Sequence, residues 1–197
     1  MKPSTLSPSF MRSIKQQGTL LPLLCLILFS FSSCNPSGRS SGSEETLVLF
    51  SNEAGDAYGY KNLRGEVVIP AGKYTMCFSD TLKTYAIVAD AQKGMIAIDR
   101  HEKMLYKVFP YDNGPDDVSN GLFRIIDGDK IGYADAASGN IVIHPQYSCA
   151  WPFENGTAKV ATNCRKESYG EEGHTTWESD QWFYINTRGE KVAAPGQ

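Results

Sequence analysis

The chain has 197 residues, of which 41% are hydrophobic and 21% are charged, and its formal net charge is −3 at pH 7. This length suits one domain with a core or a short array of repeats, and the frequent Tyr, Phe and Gly favour β structure with many turns. The charged residues before Cys34, namely Lys2, Arg12 and Lys15, are all basic. Their removal leaves a more acidic chain with no electrostatic reason to bind nucleic acid.

The N-terminal segment has the pattern of a secretory signal. Residues 1–19 contain basic but no acidic residues, and residues 20–31 are a strongly apolar run. This run is too short for a membrane-spanning helix, which needs about 20 residues. The sequence therefore predicts a signal peptide over residues 1–33, with translation starting at either Met1 or Met11.

The residues after the apolar run point to a lipid anchor. Ser32 and Ser33 stand directly before Cys34, an arrangement that resembles the lipobox of bacterial lipoproteins. The resemblance implies that Cys34 is lipidated and attaches the protein to a membrane of the bacterial cell envelope, with the outer membrane expected. The alternative is an ordinary cleaved signal followed by a free cysteine. Residues 35–45 have no apolar side chain to bury and predict a flexible tether, so that residues 34–45 form a lipidated cysteine plus tether.

Residues 46–197 contain a repeated hairpin pattern. Four segments align on an Asn or Asp that is followed by Gly, or by Glu102 in one segment, between two β-rich runs. Such a short side chain can bond the backbone of a turn, and Gly readily takes a positive φ, so each segment predicts a β-hairpin. The aligned positions are Asn62, Asp99, Asp135 and Asn186. We expect the interior of the array to contain Val67, Ile69, Ile96, Ile98, Ile141, Ile143, Tyr184 and Val192.

A second motif lies between the hairpins. Asn120-Gly121 and Asn155-Gly156 each follow an aromatic stretch that contains Pro, at residues 108–111 and 150–153. One unit is therefore predicted to be a hairpin, an aromatic corner and a further strand.

These units resemble WG repeats, a β-rich family of bacterial envelope and surface proteins. The resemblance is carried by Gly59-Tyr60 with residues 65–70, Gly132-Tyr133 with residues 139–145, and Trp182 with Gly189. It implies an all-β fold of tandem hairpins or meanders, stacked as an open or partly closed array over residues 46–197. The alternative is a small closed, propeller-like ring. The family implies no activity.

Three cysteines follow Cys34, namely Cys77, Cys149 and Cys164. An oxidising envelope compartment permits a disulfide, and Cys149 and Cys164 flank an excursion of one strand length. The alternative is three small buried thiols. No Cys-x-x-Cys or paired His spacing occurs, so neither a metal nor another cofactor is expected.

No catalytic constellation is evident. His101, His144 and His174 are scattered without a nucleophile motif and are interpreted as surface residues. Residues 111–117 carry several side-chain oxygens but lack the spacing of a calcium loop, so they are interpreted as a polar turn.

Residues 163–180 break the spacing of the repeats and form the predicted insertion. This stretch mixes both charges with Tyr169, His174 and Trp177, a composition typical of recognition loops. With Trp151 these residues are the candidate binding surface for an unidentified protein or glycan, and the alternative is a solvated, elongated hairpin. The sequence favours an envelope lipoprotein that acts as a non-catalytic binding or interaction module. A structural spacer without a ligand is the second hypothesis, and an enzyme is the third.

Overall fold

The computed structural model describes residues 45–169 and 174–196. These two ranges contain nineteen β-strands, all paired antiparallel, and they contain no helix. The predicted all-β array of hairpins is therefore confirmed. Across these two ranges there is no helix of the length and apolar character needed to traverse a bilayer. The predicted signal peptide, Cys34 and all of the tether before Glu45 lie outside the described residues.

The strands form three larger sheets and two separate hairpins, and the strand order of each sheet is linear. The first sheet has the order β3-β2-β1-β5 and contains β1 (Leu47–Ser51), β2 (Tyr58–Lys61), β3 (Val67–Ile69) and β5 (Thr81–Leu82). The central sheet has the order β13-β12-β11-β8-β7-β6-β4 and contains β4 (Met76–Cys77), β6 (Ala86–Asp90), β7 (Gly94–Ile98), β8 (Met104–Val108), β11 (Leu122–Asp127), β12 (Lys130–Asp135) and β13 (Ile141–Tyr147).

The third sheet has the order β14-β15-β18-β19 and contains β14 (Cys149–Ala150), β15 (Thr157–Ala161), β18 (Phe183–Asn186) and β19 (Lys191–Val192). The two separate hairpins are β9 (Pro110–Tyr111) with β10 (Gly114–Pro115), and β16 (Arg165–Tyr169) with β17 (His174–Glu178).

The four aligned Asn and Asp residues occupy equivalent bends. They separate the paired strands β2 and β3, β7 and β8, β12 and β13, and β18 and β19. In each bend the side-chain oxygen accepts backbone N–H groups from the turn that follows. Asn62 accepts from Arg64 at 3.0 Å and Glu66 at 2.9 Å, and Asn186 accepts from Arg188 at 2.9 Å and Glu190 at 3.1 Å. The bends are thus closed locally by the repeated residue itself.

The two Asn-Gly pairs form matching two-residue turns. Asn120 and Gly121 have φ values of 52° and 78°, and Asn155 and Gly156 have φ values of 50° and 82°. Two consecutive positive φ angles define the hairpin turn whose twist matches that of the flanking strands. The second predicted motif therefore starts the same strand in two units, β11 and β15.

The interior consists of three hydrophobic clusters rather than one. Four of the eight expected inward residues are buried, namely Ile69, Ile96, Ile98 and Ile143. The expectation is wrong for Val67 and Val192, which are 55% and 37% exposed because β3 and β19 are short edge strands. Ile141 and Tyr184 are only half-buried. In β18 the neighbouring Ile185 is fully buried, as the alternation of side chains along a strand requires.

Candidate functional site

Two aromatic corners from successive units lie at the centre of the candidate site. The backbone N–H of Phe109 donates to the carbonyl of Arg124 at 3.0 Å. The N–H of Trp151 donates to the carbonyl of Lys159, also at 3.0 Å. Each aromatic residue precedes a proline and is tied to the strand that follows an Asn-Gly turn. Phe109 and Trp151 therefore occupy equivalent positions.

The insertion is the hairpin β16–β17. It lies between β15 and β18, which pair directly with each other, so the hairpin forms a separate two-stranded sheet. A disulfide joins Cys164, at the base of the hairpin, to the buried Cys149 of β14, with their Cα atoms 6.2 Å apart. On the other side of the base, the Ser179 hydroxyl donates to the carbonyl of Asn163 at 2.6 Å. Both connections fix where the hairpin leaves the repeat.

The disulfide joins the two cysteines that the sequence offered as a pair. Cys77 is a buried free thiol, and burial raises its pKa. Within the described ranges, His, Cys, Asp and Glu side chains form no group of three or more placed to hold a metal ion.

Trp177 of the hairpin contacts both aromatic corners. Its ring centroid lies 5.4 Å from that of Trp151 and 6.0 Å from that of Phe109, and both pairs meet edge to face. Such aromatic pairs contribute about 0.5–1.5 kcal/mol each beyond the area that they bury. The three rings line an open depression, which we call the aromatic groove.

The aromatic groove has two lobes that share Trp151, Pro152, Thr176 and Trp177. The first lobe, of 480 Å³, is also lined by Phe109, Tyr111 and Asp117. The second lobe, of 910 Å³, is also lined by Asn155, Thr157, Lys159 and Trp182. Both volumes fall within the range of about 300–1,000 Å³ that small-molecule sites occupy.

A buried ion pair supports the first lobe. The side chains of Asp116 and Arg124 are only 2% and 4% exposed, and Arg124 Nε lies 3.1 and 3.0 Å from the two carboxylate oxygens. The guanidinium also donates to the carbonyl of Ala150 at 3.1 Å and lies 4.0 Å from the ring centroid of Phe109. Because a buried charge is tolerated when it is paired and hydrogen-bonded, this arrangement holds both corners in one geometry.

A hydrogen bond from Tyr133 fixes the backbone of Trp151. The Tyr133 hydroxyl donates to the carbonyl of Trp151 at 2.7 Å, and its ring packs against Phe153 with centroids 4.7 Å apart. Burial raises the pKa of Tyr133, so the hydroxyl stays protonated and keeps donating. Although its backbone is fixed in this way, Trp151 remains 43% exposed.

The structure brings together two of the four residues that the sequence proposed as a binding surface. Trp151 and Trp177 are in contact, whereas Tyr169 and His174 are paired with each other across β16 and β17. The side chains of Tyr169 and His174 lie outside the described residues.

Phe109, Asp116 and Arg124 were not recognised from the sequence as site residues. Residues 111–117 do turn, through β9 and β10, but Asp116 within them is buried. The alignment of residues 108–111 with residues 150–153 in the sequence already matched Phe109 to Trp151. It gave no sign that the two corners meet in space.

Residues 131–163 match the family model described as WG containing repeat. The matched segment runs from β12 through β15 and includes the Asp135 bend, the Trp151 corner and the Asn155-Gly156 turn. The predicted resemblance is confirmed for this copy, whereas for the other copies it stays a prediction. The comparisons with curated proteins and with solved structures found no match.

Proposed function

We propose that this protein is an envelope-anchored bacterial lipoprotein whose WG-like repeats act as a non-catalytic binding module. The observation that carries the proposal is the aromatic groove. Trp151 is 43% exposed and Tyr111 is 57% exposed beside it, over a rigid floor of buried, fully bonded side chains. Exposed aromatic side chains in a preformed depression are typical of binding surfaces, because they supply contact area at little entropic cost.

The buried charges beneath the groove support a binding role over a catalytic one. Arg124 is neutralised by Asp116 beneath the first lobe. Catalytic acids and bases usually stand free to exchange a proton with a substrate. Here the buried carboxylate is committed to a guanidinium.

The spacer hypothesis is the second candidate. It is favoured by the exposed parts of the repeat, where the charged pairs Arg64 with Glu66 and Arg188 with Glu190 lie at the first and last of the four bends. A spacer would have no use for an exposed tryptophan beside a floor of buried, hydrogen-bonded side chains. The groove therefore supports the binding role over the spacer role.

The binding role is tested by photo-cross-linking in cells that make the full-length protein. A photoreactive phenylalanine analogue at Thr176, which lines both lobes, is expected to give a discrete adduct. The same analogue at Leu63, 70% exposed on a bend and outside the groove lining, is the control and should give none. Equal labelling from both positions, or none from Thr176, would favour the spacer.

The lipid anchor is tested by replacing Cys34 with Ala. Since the thiol is the only group on which the thioether can form, Cys34→Ala should move the protein from the membrane to the soluble fraction. Equal retention of the variant in the membrane pellet would remove the anchor from the proposal while leaving the groove intact.

A further inference from the structure

We propose that the aromatic groove binds a neutral oligosaccharide, with a pyranose ring stacked on Trp151. This inference rests on the binding role proposed above and adds the chemical class of the ligand. The inference is based on three features of the groove. Two aromatic rings are exposed, the buried charges neutralise each other, and polar side chains line both lobes.

The protein's own cations already cover two of the aromatic rings at the groove. Arg124 lies 4.0 Å from the centroid of Phe109, and Lys159 lies 4.9 Å from the centroid of Trp182. Trp151 and Tyr111 keep large exposed fractions, 43% and 57%. An aromatic face carries partial negative charge, which attracts the weakly positive C–H groups on one face of a pyranose ring. The two exposed rings therefore suit flat, uncharged sugar faces.

The fixed charges of the groove do not favour a ligand of either charge. The buried guanidinium of Arg124 is matched by Asp116, whose side chain is 2% exposed. The remaining charged groups along the two lobes, Asp117, Glu154 and Lys159, are of mixed sign. A polyanion would meet carboxylates and a polycation would meet Lys159, whereas a hydroxyl-rich neutral ligand can use both kinds of group.

Hydrogen-bonding side chains stand between the aromatic rings. Thr176 borders both lobes, Asp117 borders the first, and Glu154, Asn155 and Thr157 border the second. Sugar hydroxyls both donate and accept, so they match carboxylate oxygens and hydroxyl or amide groups alike. Because the lobes adjoin at Trp151 and Trp177, a ligand of several linked rings can occupy both.

A proline-rich peptide is the competing occupant, because such peptides also dock in aromatic-lined grooves. A run of prolines has no backbone N–H to donate. It would cover the carboxylates of Asp117 and Glu154 without replacing the hydrogen bonds that water makes to them, and uncompensated polar groups weaken binding. The distribution of acceptors along both lobes therefore favours the sugar.

The experiment is a fluorescence and calorimetric titration of the purified full-length protein. The probes are chitotetraose, cellotetraose, maltotetraose and mannotetraose, with decaproline as the peptide probe. At least one tetrasaccharide should bind with a Kd below about 1 mM and change the tryptophan emission. Trp151→Ala should weaken this binding at least about tenfold, since aromatic side chains that the ligand covers on binding dominate such sites. Leu63→Ala, a matched exposed control, should bind as the wild type does.

The outcomes separate this inference from the binding role itself. Failure of all four tetrasaccharides, with decaproline binding lost in Trp151→Ala, would overturn the sugar and keep a binding groove. Failure of every probe, together with a Thr176 cross-link to a protein, would likewise overturn only the sugar. Absence of both titration signal and cross-link would remove the binding role as well. Tetrasaccharide binding that is unchanged in Trp151→Ala would also contradict the inference, because it would place the sugar elsewhere.

Discussion

At the scale of single residues, close backbone approach explains why glycine recurs in this repeat. A Cβ built on Gly132 would overlap the carbonyl oxygen of Ile143 and the backbone of His144 and Pro145 on the neighbouring strand. A Cβ on Gly59 would meet the corresponding backbone of β3 and the residues that follow it. Each glycine immediately precedes a buried tyrosine, Tyr60 or Tyr133, whose hydroxyl donates to a distant carbonyl. The glycine allows the paired strand to approach closely, and the hydrogen bond from the tyrosine hydroxyl then stabilises the unit.

We predict that Gly132→Ala destabilises the protein by about 2 kcal/mol or more, because backbone atoms must move to admit the methyl group. The measurement is urea unfolding followed by circular dichroism. Gly114→Ala is the matched control, since a Cβ there meets nothing within 4 Å, and it should stay within about 0.5 kcal/mol of wild type. Equal midpoints for the two variants would show that the strand approach at Gly132 is not constrained.

At the scale of elements, the hairpin β16–β17 has little intrinsic reason to hold one position. A two-stranded hairpin is marginal in water, and the strands that flank this one pair with each other without it. Its position is set by the disulfide at its base and by the contacts of Trp177 with Trp151 and Phe109. The shape of the aromatic groove therefore depends on an oxidised Cys149–Cys164 pair.

We predict that the double variant Cys149→Ala, Cys164→Ala loses about 3 kcal/mol of stability, the loop-closure value for a sequence separation of 15 residues. Reductant should lower the unfolding midpoint of the wild type and leave that of the double variant unchanged. The tryptophan emission of the double variant should also shift to the red, since Trp177 is no longer held against Trp151.

Cys77→Ala serves as the control for this prediction, because it removes a buried thiol that is not in the disulfide. It should retain the response to reductant. A wild-type midpoint that does not respond to reductant would contradict the stabilising role of the disulfide.

At the scale of the whole molecule, the three hydrophobic clusters are joined into one array. The first cluster lies around Tyr60, the second around Phe153, and the third, which includes Tyr106 and Phe123, draws on β7, β8, β11 and β12 of the central sheet. The Tyr106 hydroxyl donates to the carbonyl of Gly139 at 2.8 Å, which ties one unit to the bend of the next. Because each cluster is completed by a neighbouring unit, the units depend on one another.

We predict that the protein unfolds cooperatively in alkali. Burial raises the pKa values of Tyr60, Tyr106 and Tyr133 above the value of about 10 for an unfolded chain. A raised folded pKa means that the stabilisation is complete below about pH 10 and declines as pH rises above it. Phenolate absorbance should therefore increase together with loss of the β circular dichroism signal.

The control for the alkaline prediction is the urea-unfolded protein, whose tyrosines should ionise in one phase near pH 10. Ionisation of every tyrosine near that pH with an intact circular dichroism spectrum would contradict the prediction, because it would show that these hydroxyls are accessible in the folded state.

The local structure of this protein can be predicted from its sequence alone. The bends at Asn62, Asp99, Asp135 and Asn186 and the turns at Asn120 and Asn155 are closed by bonds within a few residues, so a short pattern suffices to predict them. The all-β class follows from the same repetition. Trp151 and Trp177 were recognisable as candidates because aromatic residues in or near a polar insertion are a compositional signal.

Where these elements meet depends on contacts between units that are distant in the chain. Nothing local indicates that the corners of two units lie side by side, that Asp116 pairs with Arg124 beneath them, or that Val67 and Val192 lie on edge strands and stay exposed. These contacts join residues that are distant in the chain or depend on which strand ends a sheet. Their free energy comes from packing between units, which the pattern within one unit does not specify.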